Sequence, residues 1–249
     1  MVVLIDPLRL SEDIRKIVCK IVDDVELRKY FRFRGGRWYG GIATADCVGC
    51  YLKCVFCWGH LTRDNPYKHG DFYTPQQVFS RIVKIAEKRG YNMLRVSGGE
   101  PTISRDHLLQ LLELVEQTRY TFILETNGIL IGADKKYARE LSKYSNLHVR
   151  VSIKGCTPEE FSRLTGAKPD GFYLQLNSLR NLFNAGVSCH PAVMLSFSSK
   201  ESILKLVNKL KEIDNKLASR LEEEYVILYP HVVKLLKKNR IWPLRAITP

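Results

Sequence analysis

Between residues 39 and 229, short apolar, β-branched runs alternate with amphipathic helical stretches, and this alternation limits the chain to a narrow set of folds. The runs are Tyr39 to Thr44, Met93 to Ser97, Thr121 to Glu125, Leu147 to Ile153, Val187 to Leu195 and Glu224 to Tyr229. The helical stretches are 74–89, 104–118, 134–144, 171–185 and 200–218. The first of these opens on Thr74 as a cap with Pro75 in the first turn, and carries apolar residues at helical spacing from Val78 to Ala86. Strands alternating with helices predict βαβ units, whose right-handed crossovers build a parallel sheet covered by helices. About six units, against the eight of a closed TIM barrel, predict an α/β fold with a partial (β/α)6 TIM-like barrel open on one side. Ahead of it, Ser11 to Lys29 has helical apolar spacing, and the aromatic and basic residues around Gly35-Gly36 read as a hairpin. The organisation expected is an N-terminal helix and hairpin over 1–37, a core over 38–235 and a basic tail over 236–249.

In parallel-sheet proteins chemistry gathers where strands end. The ends here are polar and marked by glycine: Cys47 to Cys57 after the first strand, Gly98-Gly99-Glu100-Pro101 after the second, Glu125-Thr126-Asn127-Gly128 after the third. Ser152 and Lys154 close the fourth, and Tyr229 to His231 follow the sixth. Cys47, Cys50, Cys54 and Cys57 fall within eleven residues. Using all four thiols, this segment reads as a closed, four-thiolate zinc site. Using Cys50, Cys54 and Cys57 alone, it reads as three ligands for a four-iron cluster with one iron left open, as a reactive site requires. Four unligated thiols so close together would be liable to oxidation, which weighs against a third reading as buried free cysteines.

The CxxxCxxC spacing of Cys50, Cys54 and Cys57, followed about forty residues later by Gly98-Gly99-Glu100-Pro101, resembles the radical S-adenosylmethionine (radical SAM) superfamily. The later strands resemble the pyruvate formate-lyase activating enzyme and 7-carboxy-7-deazaguanine synthase. Glu125-Thr126-Asn127-Gly128 is similar to their [DE]TNG, and Val151 to Gly155 is similar to the DIKG of the activating enzymes, with Ser152 where Asp is common. The resemblance implies that the three cysteines hold a [4Fe-4S] cluster. It implies further that S-adenosylmethionine chelates the fourth iron and is reductively cleaved to a 5′-deoxyadenosyl radical that abstracts hydrogen from substrate. Carried onto this sequence, the S-adenosylmethionine contacts would be Phe56, Trp58, Gly98, Gly99, Glu100, Glu125, Asn127, Ser152, Lys154, His190 and His231. Glu100 would accept from the ammonium group, and Lys154 would sit beside the carboxylate. Cys47 is outside the motif and reads as a bystander.

The balance of 39 Lys and Arg against 26 Asp and Glu gives a net charge of +13, which favours acidic partners without specifying them. The stretch 231–249 contains Lys234, Lys237, Lys238, Arg240 and Arg245 and no acidic residue, which suits RNA or nucleotide phosphates or an acidic protein, and equally a solvated basic face. The opening residues, with Asp6, Pro7 and Arg9, suggest neither a signal peptide nor an anchor, and the chain reads as cytoplasmic with no membrane partner. Three functions follow. The first is a radical SAM enzyme of the activating-enzyme type, making a glycyl radical on a partner protein or modifying a small molecule, supplied with electrons by a donor such as ferredoxin or flavodoxin. The second is a radical SAM enzyme that modifies a nucleoside or RNA. The third is a non-catalytic zinc or iron-sulfur protein that binds nucleic acid.

Overall fold

The computed structural model describes residues 4–249. Its N-terminal part comprises α1 (Pro7–Val18), β1 (Cys19–Val22), β2 (Val25–Gly36), a 3-10 turn over Trp38–Gly40, and β3 (Ile42–Cys47). After the cysteine loop come α2 (His60–Asp64), β4 (Asp71–Tyr73), α3 (Pro75–Arg89), β5 (Met93–Gly98), α4 (Arg105–Glu116) and β6 (Thr121–Thr126). Next are α5 (Ile129–Ala133), α6 (Lys135–Leu141), β7 (Leu147–Ile153), α7 (Pro158–Thr165), α8 (Asp170–Asn184) and β8 (Ser188–Met194). The chain closes with α9 (Lys200–Ile213), α10 (Asn215–Ser219), β9 (Glu222–Glu224), β10 (Val226–Ile227), α11 (Pro230–Lys238) and β11 (Ala246–Ile247).

Among the described residues six strands run parallel in the order β3-β5-β6-β7-β8-β9, matching the six expected units. The sheet path ends at β9 on one side, and on the other continues antiparallel through β2 to β1, so the sheet is open. Parallel strands are ordinarily apolar on both faces. Here they alternate, as in Leu147-His148-Val149-Arg150-Val151-Ser152-Ile153-Lys154. Leu147, Val149, Val151 and Ile153 join the core beneath the helices. The polar set bonds across strands: Arg150 on β7 reaches Glu222 (2.7 Å) and Glu224 (2.8 Å) on β9, two strands away. A flat sheet would put such residues out of reach, so the polar face curls into a lumen.

The local chemistry explains most element ends. Thr74 and Gln77 form a reciprocal capping box on α3, Pro75 occupies its first turn, and Gly90 ends it in the left-handed conformation. Four boundaries differ from the sequence expectation. The helix expected over 11–29 stops at Val18, because Asp23 and Asp24, both at positive φ, form a two-residue turn joining β1 to β2. The first core strand starts at Ile42 rather than Tyr39, which lies in the 3-10 turn at φ 54. The helix expected over 200–218 breaks at Asp214, whose extended backbone ends α9 while its side chain caps α10. The sixth core strand is Glu222–Glu224, and Val226–Ile227 pairs instead with Ala246–Ile247 in a separate two-stranded sheet. Elements α2, β4, α5, α7 and α11 have no counterpart in the sequence expectation, and α11 runs across the expected boundary between core and tail at 235/236.

Helix α8 lies unusually close to the exit of β6. A Cβ on Gly132 would sit 1.8 Å from the Leu174 carbonyl oxygen, and one on Gly128 would sit 2.3 Å from Ser178 Oγ. Gly132→Ala should therefore lower the unfolding free energy by about 1–3 kcal/mol or more through overpacking, measured by urea denaturation. A loss under about 0.5 kcal/mol would contradict this packing.

Candidate active site at the strand exits

The loop leaving β3 carries the three motif cysteines and is fastened at both ends. Val48 N–H donates to the Lys29 carbonyl, Lys53 N–H to Thr165 and Val55 N–H to Leu164, each at 2.9–3.0 Å. Buried Arg63 on α2 donates to the Cys54 carbonyl at 2.7 Å. Burial pushes the Cys54 thiol up to about 11 and raises Cys50 and Cys57, while Lys154 and Arg63 act against that rise at Cys54. These thiols shed protons readily only to a cation that replaces them, as soft metal centres do. Cys47 lies on the opposite side, fully buried in the apolar core, where the charges acting on it are Arg28, Glu100 and Asp46.

Gly98 and Gly99 join this loop to the exit of β5. Gly99 N–H donates to the Cys47 carbonyl (2.8 Å) and Glu100 N–H to the Gly49 carbonyl (2.9 Å). A Cβ on Gly99 would stand 2.2 Å from Gly49 O, and one on Gly98 2.9 Å from Cys47 O. What the glycine pair admits is thus the cysteine loop itself.

Glu100, 2% exposed, turns its carboxylate inward. It accepts from Thr102 Oγ1 (2.7 Å), Thr102 N–H (3.2 Å), Thr126 Oγ1 (2.6 Å) and Asn127 N–H (2.8 Å). Burial raises its pKa against these four donors. Its carboxylate therefore ties β5 to β6, with three donors on Oε1 and one on Oε2.

The other residues singled out from the sequence separate into two levels. At the exits, Lys154 Nζ stands 5.9 Å over the Phe56 ring and donates to Ser152 Oγ, which in turn donates to Glu224 (2.9 Å). Asn127 Oδ1 accepts from Tyr51 OH (2.8 Å), and its buried Nδ2 has no partner, an orphaned donor suited to a ligand carboxylate or hydroxyl. Trp58, 42% exposed, offers its carbonyl to His231 Nε2 at 3.1 Å, and His231 stacks on Tyr229 and His60. Deeper in the lumen, Glu125 accepts from Arg95 (2.9 Å) and Ser97 (2.6 Å). His190 stands in the same cross-strand row as Glu125 and Arg150, bonded to His148 (2.7 Å) and Glu222 (2.9 Å).

Sequence reasoning did not single out Arg95, Arg150, Glu222, Glu224 or Gln175. The strand residues announce themselves as polar alternation within apolar runs, and Gln175 as the polar interruption of the stripe Phe172, Leu176 and Leu179.

A donor set of three thiols beside Lys154 and an orphaned amide suits an iron-sulfur cluster with a bound, charged co-substrate. Residues 46–210 match the radical SAM superfamily, and the chain belongs to it. It is an iron-sulfur enzyme of that superfamily, whose members use a [4Fe-4S] cluster and S-adenosylmethionine.

Among named relatives it is 32% identical over 117 residues to a probable GTP 3′,8-cyclase of Methanococcus maripaludis, covering 47% of this chain and 37% of that one. It is 29% identical over 164 residues to the GTP 3′,8-cyclase of Clostridium perfringens, covering 64% and 48%. The chain thus spans less than half the length of these curated relatives. Solved structures share the fold. Streptococcus suis SuiB bound to S-adenosylmethionine superposes at TM-score 0.56 and 21% identity, over 84% of this chain and 46% of SuiB. TYW1 with a lysine-pyruvate adduct superposes at 0.54 and 16%, over 94% and 89%. No helix among the described residues is long and apolar enough to cross a membrane.

The lumen network predicts acid sensitivity. Burial, then His190, lowers His148 from 6.5 to about 4, so the unfolded chain takes up that proton first and stability falls as pH drops from about 6.5 to about 4. Hydrogen bonds from His190 and Arg150 lower Glu222 from 4.5 to about 2, so its contribution is present above about 4.5 and lost as pH falls towards 2. His107, also held at about 4 by burial, titrates alongside His148. The urea midpoint should decline from pH 6.5 downwards, with His148→Gln flattening the upper part and Glu222→Gln the lower. A wild-type midpoint constant from pH 7 to 4 would contradict these environments.

Proposed function

We propose that Cys50, Cys54 and Cys57 hold the [4Fe-4S] cluster and that S-adenosylmethionine lies across the exits of β5, β6 and β7, with substrate entering the open side of the lumen. The observation that carries this reading is the placement of the Cys50–Cys57 loop, Lys154 and the unpartnered Asn127 Nδ2 at neighbouring strand exits, with Lys154 close enough to act on Cys54 and Cys57, although among the described residues the thiols do not yet close into a metal-ligand group. When bound there, the cluster would supply the one-electron reduction of the S-adenosylmethionine sulfonium that radical hydrogen abstraction from substrate requires. Lys154 faces the methionine carboxylate as a charge-assisted donor, and Asn127 Nδ2 donates to the same ligand. The backbone at Gly98-Gly99 receives the amino group, with the Glu100 carboxylate, whose Oε2 accepts only from Asn127 N–H, next to it. Phe56, Trp58 and His231 wall the site from the loop side, and the electron comes from a ferredoxin or flavodoxin.

For the substrate, the reading closest to the sequence is the glycyl-radical-activating type, acting on a partner protein. Lys154, the Glu125-Thr126-Asn127-Gly128 segment and the open side of the sheet support it. A nucleotide or RNA substrate is the second reading, favoured by the names of the GTP 3′,8-cyclase relatives and by the basic stretch after Tyr229. Against a polyphosphate deep in the lumen, Arg95 is already paired with Glu125, and Arg150 with Glu222 and Glu224.

Anaerobic reconstitution with iron and sulfide, reduction by dithionite and addition of S-adenosylmethionine should give about four irons per chain together with 5′-deoxyadenosine. Both should be lost in Cys54→Ala. One zinc per chain and no cleavage product would overturn the proposal.

A further inference from the structure

Parallel pairing of β6 with β7 stops at Thr126 and Val151. Immediately beyond, where the two strands part, stand Asn127 and Ser152, with Lys154 two residues further on. The gap is filled from outside the sheet by one side chain, Gln175 of α8, which is 0% exposed. Its Nε2 donates to the Asn127 carbonyl (2.7 Å) and to the Ser152 carbonyl (2.9 Å), and its Oε1 accepts from Lys154 N–H (3.1 Å). A primary amide offers two donors and an acceptor. All are used on backbone groups of two neighbouring exits, in place of the ladder bonds that have ended.

The amide reaches this point because α8 is drawn in against Gly128 and Gly132, at distances no Cβ would allow. Asn181 of the same helix adds a bond to the Ile131 carbonyl at 2.9 Å. The helix position and the backbone positions of Asn127 and Lys154 are therefore one rigid arrangement.

We infer that Gln175 is a positioning residue that fixes the separation of Asn127 and Lys154 and thereby sets the affinity for S-adenosylmethionine. The inference rests on the binding site proposed at those two exits. Gln175 touches neither cluster nor co-substrate, and it acts only through the two residues it holds. Groups that orient ligand-binding residues typically change affinity by about 10–100-fold when removed.

Two substitutions separate positioning from general packing. Gln175→Met keeps the volume and removes all three bonds. Gln175→Glu keeps an acceptor for Lys154 N–H but sets a carboxylate against the carbonyls of Asn127 and Ser152. Leu182→Ala, a buried change on the same helix, supplies a loss of stability away from the exits. In the reconstituted protein both Gln175 variants should keep the wild-type iron count and bind S-adenosylmethionine about 10–100-fold more weakly by equilibrium dialysis. Leu182→Ala should lower Tm and leave that Kd unchanged.

In the unloaded chain, hydrogen exchange of the segment holding the Lys154 amide should quicken at least about tenfold in Gln175→Met and stay near wild type in Gln175→Glu. If Gln175→Met does not fold, Gln175→Glu carries the binding test. A Gln175 variant whose Kd stays within about twofold of wild type, or a Leu182→Ala variant that loses as much affinity, would overturn the inference while leaving the proposed function intact. Wild-type protein that takes up four irons and binds no S-adenosylmethionine would overturn both.

Discussion

One buried carboxylate organises the catalytic end of this molecule. Glu100 donates its N–H to the cysteine loop at Gly49 and accepts through its side chain from Thr102, Thr126 and Asn127. The exits of β3, β5 and β6 are thus held by a single residue. An ionised carboxylate left alone at this depth would cost several kcal/mol, but hydrogen bonds to a charged group contribute about 1.5–3 kcal/mol each. Four of them offset part of the burial, which still raises the pKa, and fix the carboxylate in one orientation. Arg28, also fully buried, donates from the other side to the Glu100 carbonyl at 3.3 Å and to the Val18 carbonyl at 3.3 Å, so the N-terminal helix is linked to the same turn.

From that fixed point the rest of the site follows outward. The glycine pair lets the cysteine loop approach β5 to backbone contact, while Gly128 and Gly132 let α8 approach β6. On the lumen side, arginines and carboxylates pair across strands, so a sheet that would otherwise need a second apolar layer is lined by satisfied charges. Asp46 alone, with no exposure of its own, accepts from both Arg32 and Arg34 at 2.7 Å. These two arginines come from β2, which extends the lining beyond the six parallel strands. Arg32 also lies over the Trp58 ring, 5.4 Å from its centroid, beside the cysteine loop. The N-terminal hairpin therefore contributes to the lumen wall and is continuous with the core sheet.

Much of this was legible in the sequence because strand ends and cysteine spacing are local signals. The six parallel strands, the capped helix α3 and the position of the cysteine loop, Asn127 and Lys154 after successive strands all follow from short-range pattern. What escaped was long-range. Nothing local to Glu100 says that its partners are Thr126 and Asn127, and the expectation that it would face an ammonium group came from the motif rather than from its neighbours. His190 is read from the sequence as a ligand contact, and its bonds to His148 and Glu222, set by register, are not visible in the local pattern. The sixth strand was displaced because Val226 and Ile227, apolar enough for the core sheet, pair with the returning chain at Ala246 and Ile247. The turn at Asp23-Asp24 was masked by a helical spacing of apolar residues that runs through it.

The proposed cluster has three cysteine ligands and one iron open to S-adenosylmethionine. Electron paramagnetic resonance of the dithionite-reduced, reconstituted protein tests it most directly, recorded with and without the co-substrate. A reduced [4Fe-4S] signal is expected, with g-values that shift when S-adenosylmethionine is added. A cluster signal that the co-substrate leaves unchanged, or a protein that takes up zinc and gives no signal, would contradict it.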